Sequence, residues 1–277
     1  MKTFDLTFPF ALLLASRPQM AMLLDRWRQR FGKRFAGWVD ALGEIEALCA
    51  LATYSFECPE DTFPEIVDTT TVFEAEGLGH PLLPRAQCVR NSLSLGNCGT
   101  QVLIISGSNM AGKSTLLRAV GVNLALALAG GPVRASKLRL TPLVVGATLR
   151  IQDSLVAGRS RFYAEILRVR QLLDMARGFP PLLFLLDELF QGTNSADRLM
   201  GAEVVLRQLT DAGAIGLVTT HDLALTEIAS QLEGRGANVH FEDHFHNGEI
   251  TFDYRMKPGV LRHTNGLVLM RAVGIKV

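Results

Sequence analysis

One run constrains this chain more than any other: Gly107-Ser108-Asn109-Met110-Ala111-Gly112-Lys113-Ser114-Thr115. It matches G-x-x-x-x-G-K-[ST] in the surroundings that pattern needs, because residues 101–106 read as a buried strand and an apolar helix begins where the run ends. Its glycines let successive backbone N–H groups turn inward around phosphate oxygens, and the helix N-terminus adds partial positive charge. On this reading Gly107, Ser108, Asn109, Met110, Ala111, Gly112, Lys113, Ser114 and Thr115 hold the phosphates of a nucleotide. Lys113 reaches the β- and γ-phosphates, and the Ser114 hydroxyl joins the shell of a Mg²⁺ ion.

A phosphate loop alone implies nucleotide binding but not hydrolysis. The run Leu182-Leu-Phe-Leu-Leu-Asp187-Glu188 reads as a buried strand ending in two carboxylates. Asp187 is placed to hold the Mg²⁺ through water, and Glu188 to polarise an attacking water as general base. A third apolar run, residues 215–218, leads into Thr219-Thr220-His221-Asp222. A histidine at the C-terminal edge of a parallel strand lies where ligands bind in such sheets, so His221 is read as a sensor of the γ-phosphate.

These runs set the fold class. Residues 102–105, 182–186 and 215–218 are short, dense in apolar residues and bounded by Gly or Pro, as buried parallel strands are. Helical stretches follow at 114–129, 196–209 and 223–232, which implies an α/β fold with a largely parallel sheet flanked by helices. Residues 71–77, 89–95, 138–151, 238–245 and 249–256 read as further strands, added in antiparallel fashion. Residues 1–64 differ in texture: apolar positions recur at helical spacing over 18–31 and 35–52, and Pro59 and Pro64 close the segment. Two such helices need cover for their apolar faces, either as a hairpin closing the core or as part of a larger helical domain. The division expected is therefore 1–64 and 65–277.

Composition excludes several classes. With 28 Lys+Arg against 27 Asp+Glu the net charge is +1, which rules out a broadly cationic, histone-like binder but not a local basic patch. Apolar residues at 48% are too many for a disordered chain. The most apolar stretch, 119–133, falls short of the roughly 20 residues a spanning helix needs, so no membrane is expected. Cys49, Cys58, Cys88 and Cys98 form no C-x-x-C pair and read as reduced thiols of a cytoplasmic protein. Residues 6–15 have the apolarity of a signal-peptide core, but Asp5 precedes them and no small-x-small site follows. His240, Glu242, His244 and His246 share strand parity and are read as a solvated sheet edge, with zinc the alternative.

Five motifs in order resemble the ATPase domain of the MutS DNA mismatch-repair proteins, which have the ABC-type P-loop nucleotide-binding fold. GSNMAGKST is similar to the family's GPNMxGKST, with Ser108 for the usual proline. LLFLLDELFQGTNSADR resembles the family's Walker B and D-loop, DEIGRGTSxxDG, with Phe190-Gln191 in place of Gly-Arg. Leu155-Val-Ala-Gly-Arg-Ser160 followed by Phe162 resembles the signature stretch, TTHD resembles ATHY with Asp222 departing, and Gly79-His80-Pro81 resembles the GRHP lead-in. The resemblance covers residues 77 to 275.

It implies that the chain binds and hydrolyses ATP with Mg²⁺ as a homodimer and couples this to DNA handling. Lys113, Ser114, Thr115, Asp187, Glu188 and His221 then act in cis. Ser160, opening a helix that carries Phe162, Ile166, Leu167 and Leu173, serves the partner copy's γ-phosphate. The family's adenine-stacking aromatic aligns with Cys88, beside Val89, and Tyr254 is a substitute. The family's mismatch-reading and clamp domains have no counterpart here, so DNA contacts are expected through other segments. Residues 1–60 resemble only the base of the family's helical lever and core. A second reading stays open: a nucleotide-dependent dimerisation switch with negligible hydrolysis.

Overall fold

The computed structural model describes residues 16–261, apart from 69, 97, 149–160 and 247–248. The chain forms two compact units that meet between Glu57 and Cys58 in sequence. The described residues of the first unit form one helix, α1 (Ser16–Glu57), of 42 residues. The sequence pattern predicts two helices with a break near residues 32–34. None occurs, because Gly32 costs a helix only about 1 kcal/mol and good helix formers flank it. At 1.5 Å per residue α1 is roughly 60 Å long. Along one side Trp27, Phe31, Phe35 and Trp38 form a ladder with ring centroids 5.7–6.2 Å apart.

The second unit runs β1 (Glu65–Ile66), β2 (Val72–Leu78), β3 (Asn91–Gly96), β4 (Val102–Ser106), α2 (Lys113–Leu128), β5 (Lys137–Leu140), β6 (Val144–Thr148), α3 (Arg161–Ala176), β7 (Leu182–Asp187), α4 (Ser195–Asp211), β8 (Ile215–Thr220), α5 (Ile228–Gln231), β9 (Gly236–His246) and β10 (Glu249–Pro258). It is a mixed α/β unit with two sheets. Six strands lie in the order β10-β9-β4-β8-β7-β6, all parallel except β10, which returns antiparallel on β9. Four more lie in the order β1-β5-β2-β3, antiparallel except for β1 on β5.

Three expectations need correction. Residues 138–151 do not form one strand: β5 ends at Leu140 and β6 begins at Val144 in the other sheet. Pro142 between them lacks the N–H a continuing ladder requires. Residues 238–245 are not an antiparallel addition or an edge, since β9 is an inner strand parallel to β4. The helix expected over 223–232 is a 3₁₀ stretch, Leu223–Glu227, followed by the single turn of α5.

Alternate residues of the parallel strands feed two cores, as period-two geometry dictates. Leu103, Ile105, Leu185 and Leu217 join Leu117, Val120 and Leu124 of α2 and Phe73, Leu138 and Leu140 of the smaller sheet. On the other face Val102, Ile104, Phe184 and Val218 pack against Leu172 of α3, Leu206 and Leu209 of α4, and Ile228 of α5. No helix among the described residues is long and apolar enough to cross a membrane.

At one point in this packing only glycine fits. A Cβ on Gly216 of β8 would stand 2.2 Å from the Phe184 carbonyl oxygen and 2.4 Å from its ring, where real Cβ atoms do not go. Gly216→Ala should therefore cost about 3 kcal/mol of stability, the upper range for overpacking a core. Urea unfolding measures it, and an unchanged midpoint would show that β7 and β8 separate more easily than their packing implies.

Candidate functional site

The parallel strands share one carboxyl edge in the six-stranded sheet, so the segments leaving β4, β7 and β8 converge there. The loop after β4 is held in conformations that glycine permits: φ is +150° at Gly107 and +105° at Gly112, and Met110 adopts +69°. Gly107 admits no side chain, because a Cβ would stand 2.9 Å from the Phe241 carbonyl oxygen of β9. The Lys113 side chain folds back over this loop and donates to the carbonyls of Gly107 at 2.7 Å and Ser108 at 2.8 Å. Only 4% of Lys113 is exposed. Burial lowers its pKa, against a smaller upward pull from Glu188 and Asp187. Ala111 is buried, Asn109 and Met110 are exposed, and the buried Ser108 hydroxyl has no hydrogen-bond partner among the described residues.

Two hydroxyls meet the carboxylate at the end of β7. Ser114 Oγ donates to Asp187 Oδ1 at 3.0 Å, and Thr219 Oγ1 of β8 donates to the same oxygen at 2.6 Å. Thr219 also receives the Glu188 N–H at its hydroxyl, 3.0 Å away. Glu188 then turns into the left-handed region, φ +55°, and Phe190 does so again at +58°. Each costs about 1–3 kcal/mol in a residue with a side chain and persists only where neighbours over-determine it. Here they do. The Phe190 N–H donates to the buried Glu165 carboxylate of α3 at 2.7 Å, and the Phe190 ring meets Phe162 edge-on at 6.1 Å.

Beyond Glu188, Gln191 Nε2 donates to Glu188 Oε2 and lies 3.3 Å from His221 Nδ1. His221 Nδ1 is 3.6 Å from Glu188 Oε1, and its ring is 48% exposed. The fold thus gathers Lys113, Ser114, Asp187, Glu188 and His221 from three separate segments into one site. Ser160 lies outside the described residues, while Phe162 and Leu173 of the helix after it pack on the core around β7. Sequence reasoning missed the parts played by Thr219, Gln191 and Glu165. No local signal marks them, and the pairing that sets Thr219 beside Asp187 is decided by the β7–β8 register.

Beside the loop opens a cleft of about 750 Å³ whose walls include His80, Leu83, Val89, Met110, Thr115 and Tyr254. Cys88, aligned with the family's aromatic, turns its thiol toward the His80 carbonyl, 3.9 Å away, while its neighbour Val89 and the expected substitute Tyr254 face the cleft. Tyr254 enters at a bulge of β10 with φ +53°, held by Asn91, whose amide donates to the Tyr254 carbonyl at 3.0 Å and accepts from the Met256 N–H at 2.7 Å. The back wall is tied down by Arg134, which donates to Asp61 at 3.0 Å and to the Leu83 carbonyl at 3.1 Å.

Two histidines of β9 take part in charged pairs. His240 pairs with Glu242 at 3.0 Å, Glu242 with Lys257 at 2.6 Å, and His244 with Asp253 at 3.5 Å. Two of these pairs cross between β9 and β10, and no metal-holding group of three exists among the described residues.

A family model described as MutS domain V matches residues 103–276. The chain is 32% identical over 241 residues to the DNA mismatch repair protein MutS of Natronomonas pharaonis, covering 85% of this chain and 27% of that protein. It is 31% identical over 260 residues to MutS of Brevibacillus brevis, covering 90% and 28% respectively. A similar likeness, 30% over 240 residues, holds for the DNA mismatch repair protein MSH3 of Phaeosphaeria nodorum, covering 84% and 21%. The chain spans about a quarter of the length of these curated relatives.

His80 gives the cleft a pH dependence. Its Nδ1 accepts the Leu82 N–H at 3.2 Å, which only an imidazole unprotonated at that nitrogen can do. Burial lowers its pKa from 6.5, and the positive charges of Arg118 and Arg134 lower it further. A histidine with a lowered folded-state pKa binds fewer protons folded than unfolded, so it withdraws stability as pH falls below 6.5 toward the folded value. Thermal melting across that window should fall less steeply for His80→Asn than for the parent chain. Equal slopes would place the acid sensitivity elsewhere.

Proposed function

Because this chain belongs to the MutS family, we propose that it is that family's ATP-binding and hydrolysing module, an ABC-type P-loop unit that couples nucleotide-driven dimerisation to DNA binding. One observation carries the reading: the buried Lys113 ammonium, the Ser114–Asp187 pair and Glu188 stand together at the carboxyl edge of a parallel sheet. Lys113, anchored over its loop, orients the β- and γ-phosphate oxygens. The loop N–H groups and the α2 N-terminus bind the remaining phosphate charge. The largely apolar cleft walled by Val89, Leu83 and Tyr254 suits a planar base.

The residues present fit a magnesium ion. Ser114 Oγ and Asp187 Oδ1 are hard oxygen donors 3.0 Å apart, at the mouth of the loop. When bound, Mg²⁺ neutralises phosphate charge and so eases attack at the γ-phosphorus. Glu188 takes the proton of the attacking water, and His221 donates a hydrogen bond to the γ-phosphate. Ser160 completes the partner copy's site, and residues 1–64 correspond to the base of the family's helical lever and core. DNA is bound through domains of the family other than this module, and the module works in the cytoplasm without a membrane.

A second reading, a dimerisation switch with negligible hydrolysis, draws on Gln191. Its amide already occupies one oxygen of the intended base, Glu188.

Titration calorimetry should show ATP–Mg²⁺ binding to the parent chain and none to Lys113→Ala. Glu188→Gln should keep binding and slow single-turnover hydrolysis by roughly 10²–10⁴-fold. A parent chain that binds ATP without turnover would favour the switch. For the composite site, Lys113→Ala and Ser160→Ala chains, each inactive alone, should regain part of the activity when mixed. Mixing that restores nothing, with turnover per chain constant on dilution, would indicate a self-contained monomer.

A further inference from the structure

Arg198 stands where a helix gains nothing from it. It lies in the first turn of α4, whose cap is the Asn194 side chain accepting the Asp197 N–H at 2.9 Å. A cation there opposes the helix dipole. The Arg198 side chain is nonetheless only 15% exposed, and its guanidinium finds acceptors on three sides. Nε donates to the Phe190 carbonyl at 3.2 Å, Nη2 to the Thr193 carbonyl at 3.4 Å, and Nη1 to Asp222 Oδ2 at 3.4 Å.

These acceptors lie on the two segments that carry the proposed base and the proposed phosphate sensor. Phe190 is the left-handed residue that turns the chain after Glu188, and its peptide is gripped from both sides, by Glu165 on the N–H and by Arg198 on the carbonyl. Asp222 follows His221 directly. Its own backbone is locked by Thr220, whose hydroxyl accepts the Asp222 N–H at 2.9 Å, and its Oδ1 caps the next turn by accepting the Ala224 N–H at 3.0 Å. One planar guanidinium therefore spans both segments with a fixed fork of donors, which the point charge of a lysine does not reproduce.

We propose that Arg198 is a positioning residue for hydrolysis, clamping the Glu188 turn to the His221 segment so that base and phosphate sensor keep one separation. It acts through the Phe190, Thr193 and Asp222 acceptors rather than on the reacting atoms. The proposal rests on the ATPase reading above, since it assigns Arg198 a part in that same reaction.

The test compares the parent chain with Arg198→Ala, Arg198→Lys and Asp222→Asn. Arg198→Ala should lower the single-turnover rate roughly ten- to hundredfold, the range expected when reacting groups are misplaced by about an ångström. Its ATP affinity should stay within about twofold, because the loop and cleft are untouched. Arg198→Lys should restore only part of the rate. Asp222→Asn, which removes one arm of the clamp at constant shape, should fall between Arg198→Ala and the parent and stands as the test if Arg198→Ala does not fold. In nucleotide-free protein, hydrogen exchange should quicken at 188–193 and 221–224 in Arg198→Ala and remain unchanged at 107–112.

A parent chain without turnover would sink the ATPase reading, while the exchange comparison still judges the clamp. Turnover in the parent with the rate kept in Arg198→Ala, or a rate lost together with ATP affinity and melting temperature, would overturn the positioning role. Full rescue by Arg198→Lys would overturn the need for a forked donor.

Discussion

The site depends on a single side-chain oxygen. Thr219 is wholly buried at the end of β8, directly beside Asp187 on β7. Its hydroxyl donates to the Asp187 carboxylate and accepts the Glu188 N–H, so it fixes both carboxylates relative to the sheet. Ser114 reaches the same Asp187 oxygen from α2, which brings the phosphate loop into register with β7. A shift of one residue between β7 and β8 would point Thr219 to the opposite face and break both of its contacts with the carboxylate turn at once. The tight fit of Gly216 under Phe184, three residues earlier on β8, holds that register from within the core.

A second set of buried polar contacts holds the cleft. Asn123 of α2 donates to the Gly79 carbonyl and accepts the Arg134 N–H, and Arg134 pairs with Asp61. Arg134 and Asp61 are buried together, an arrangement costly to desolvate and costlier to break on one side. Through these bonds the segment around Asp61, the lead-in at Gly79–Leu83 and the helix of the phosphate loop form one connected wall. Lys113 and His80 show the electrostatic consequence, since burial disfavours the charged form of both, and two arginines add to it at His80.

Side chains from several elements tie down the turn after Glu188. Gln191 lies between Glu188 and His221, Phe190 packs on Phe162, and Asp222 pairs with Arg198. Of the two left-handed residues of this turn, Glu188 is held by Thr219 of β8 and Phe190 by side chains from α3 and α4.

Much of this was legible without coordinates, for a local reason. The phosphate loop is contiguous, and its glycines, its lysine and the helix start encode its shape where they stand, so 107–115 could be read directly. The three apolar runs likewise announced β4, β7 and β8. Their neighbours could not be read, because dense apolar runs look alike and carry no label for strand order. The sequence could not show that β9 sits inside the sheet, that 138–151 divides between two sheets at Pro142, or that residues 16–57 form one helix. Nor could it show Glu165 and Arg198 converging on the turn that carries Gln191, since each arrives from a different helix. What the chain determined by itself was the chemistry available at each strand end. Only the tertiary structure decided which ends stand side by side, because that choice is made by packing between segments far apart in sequence.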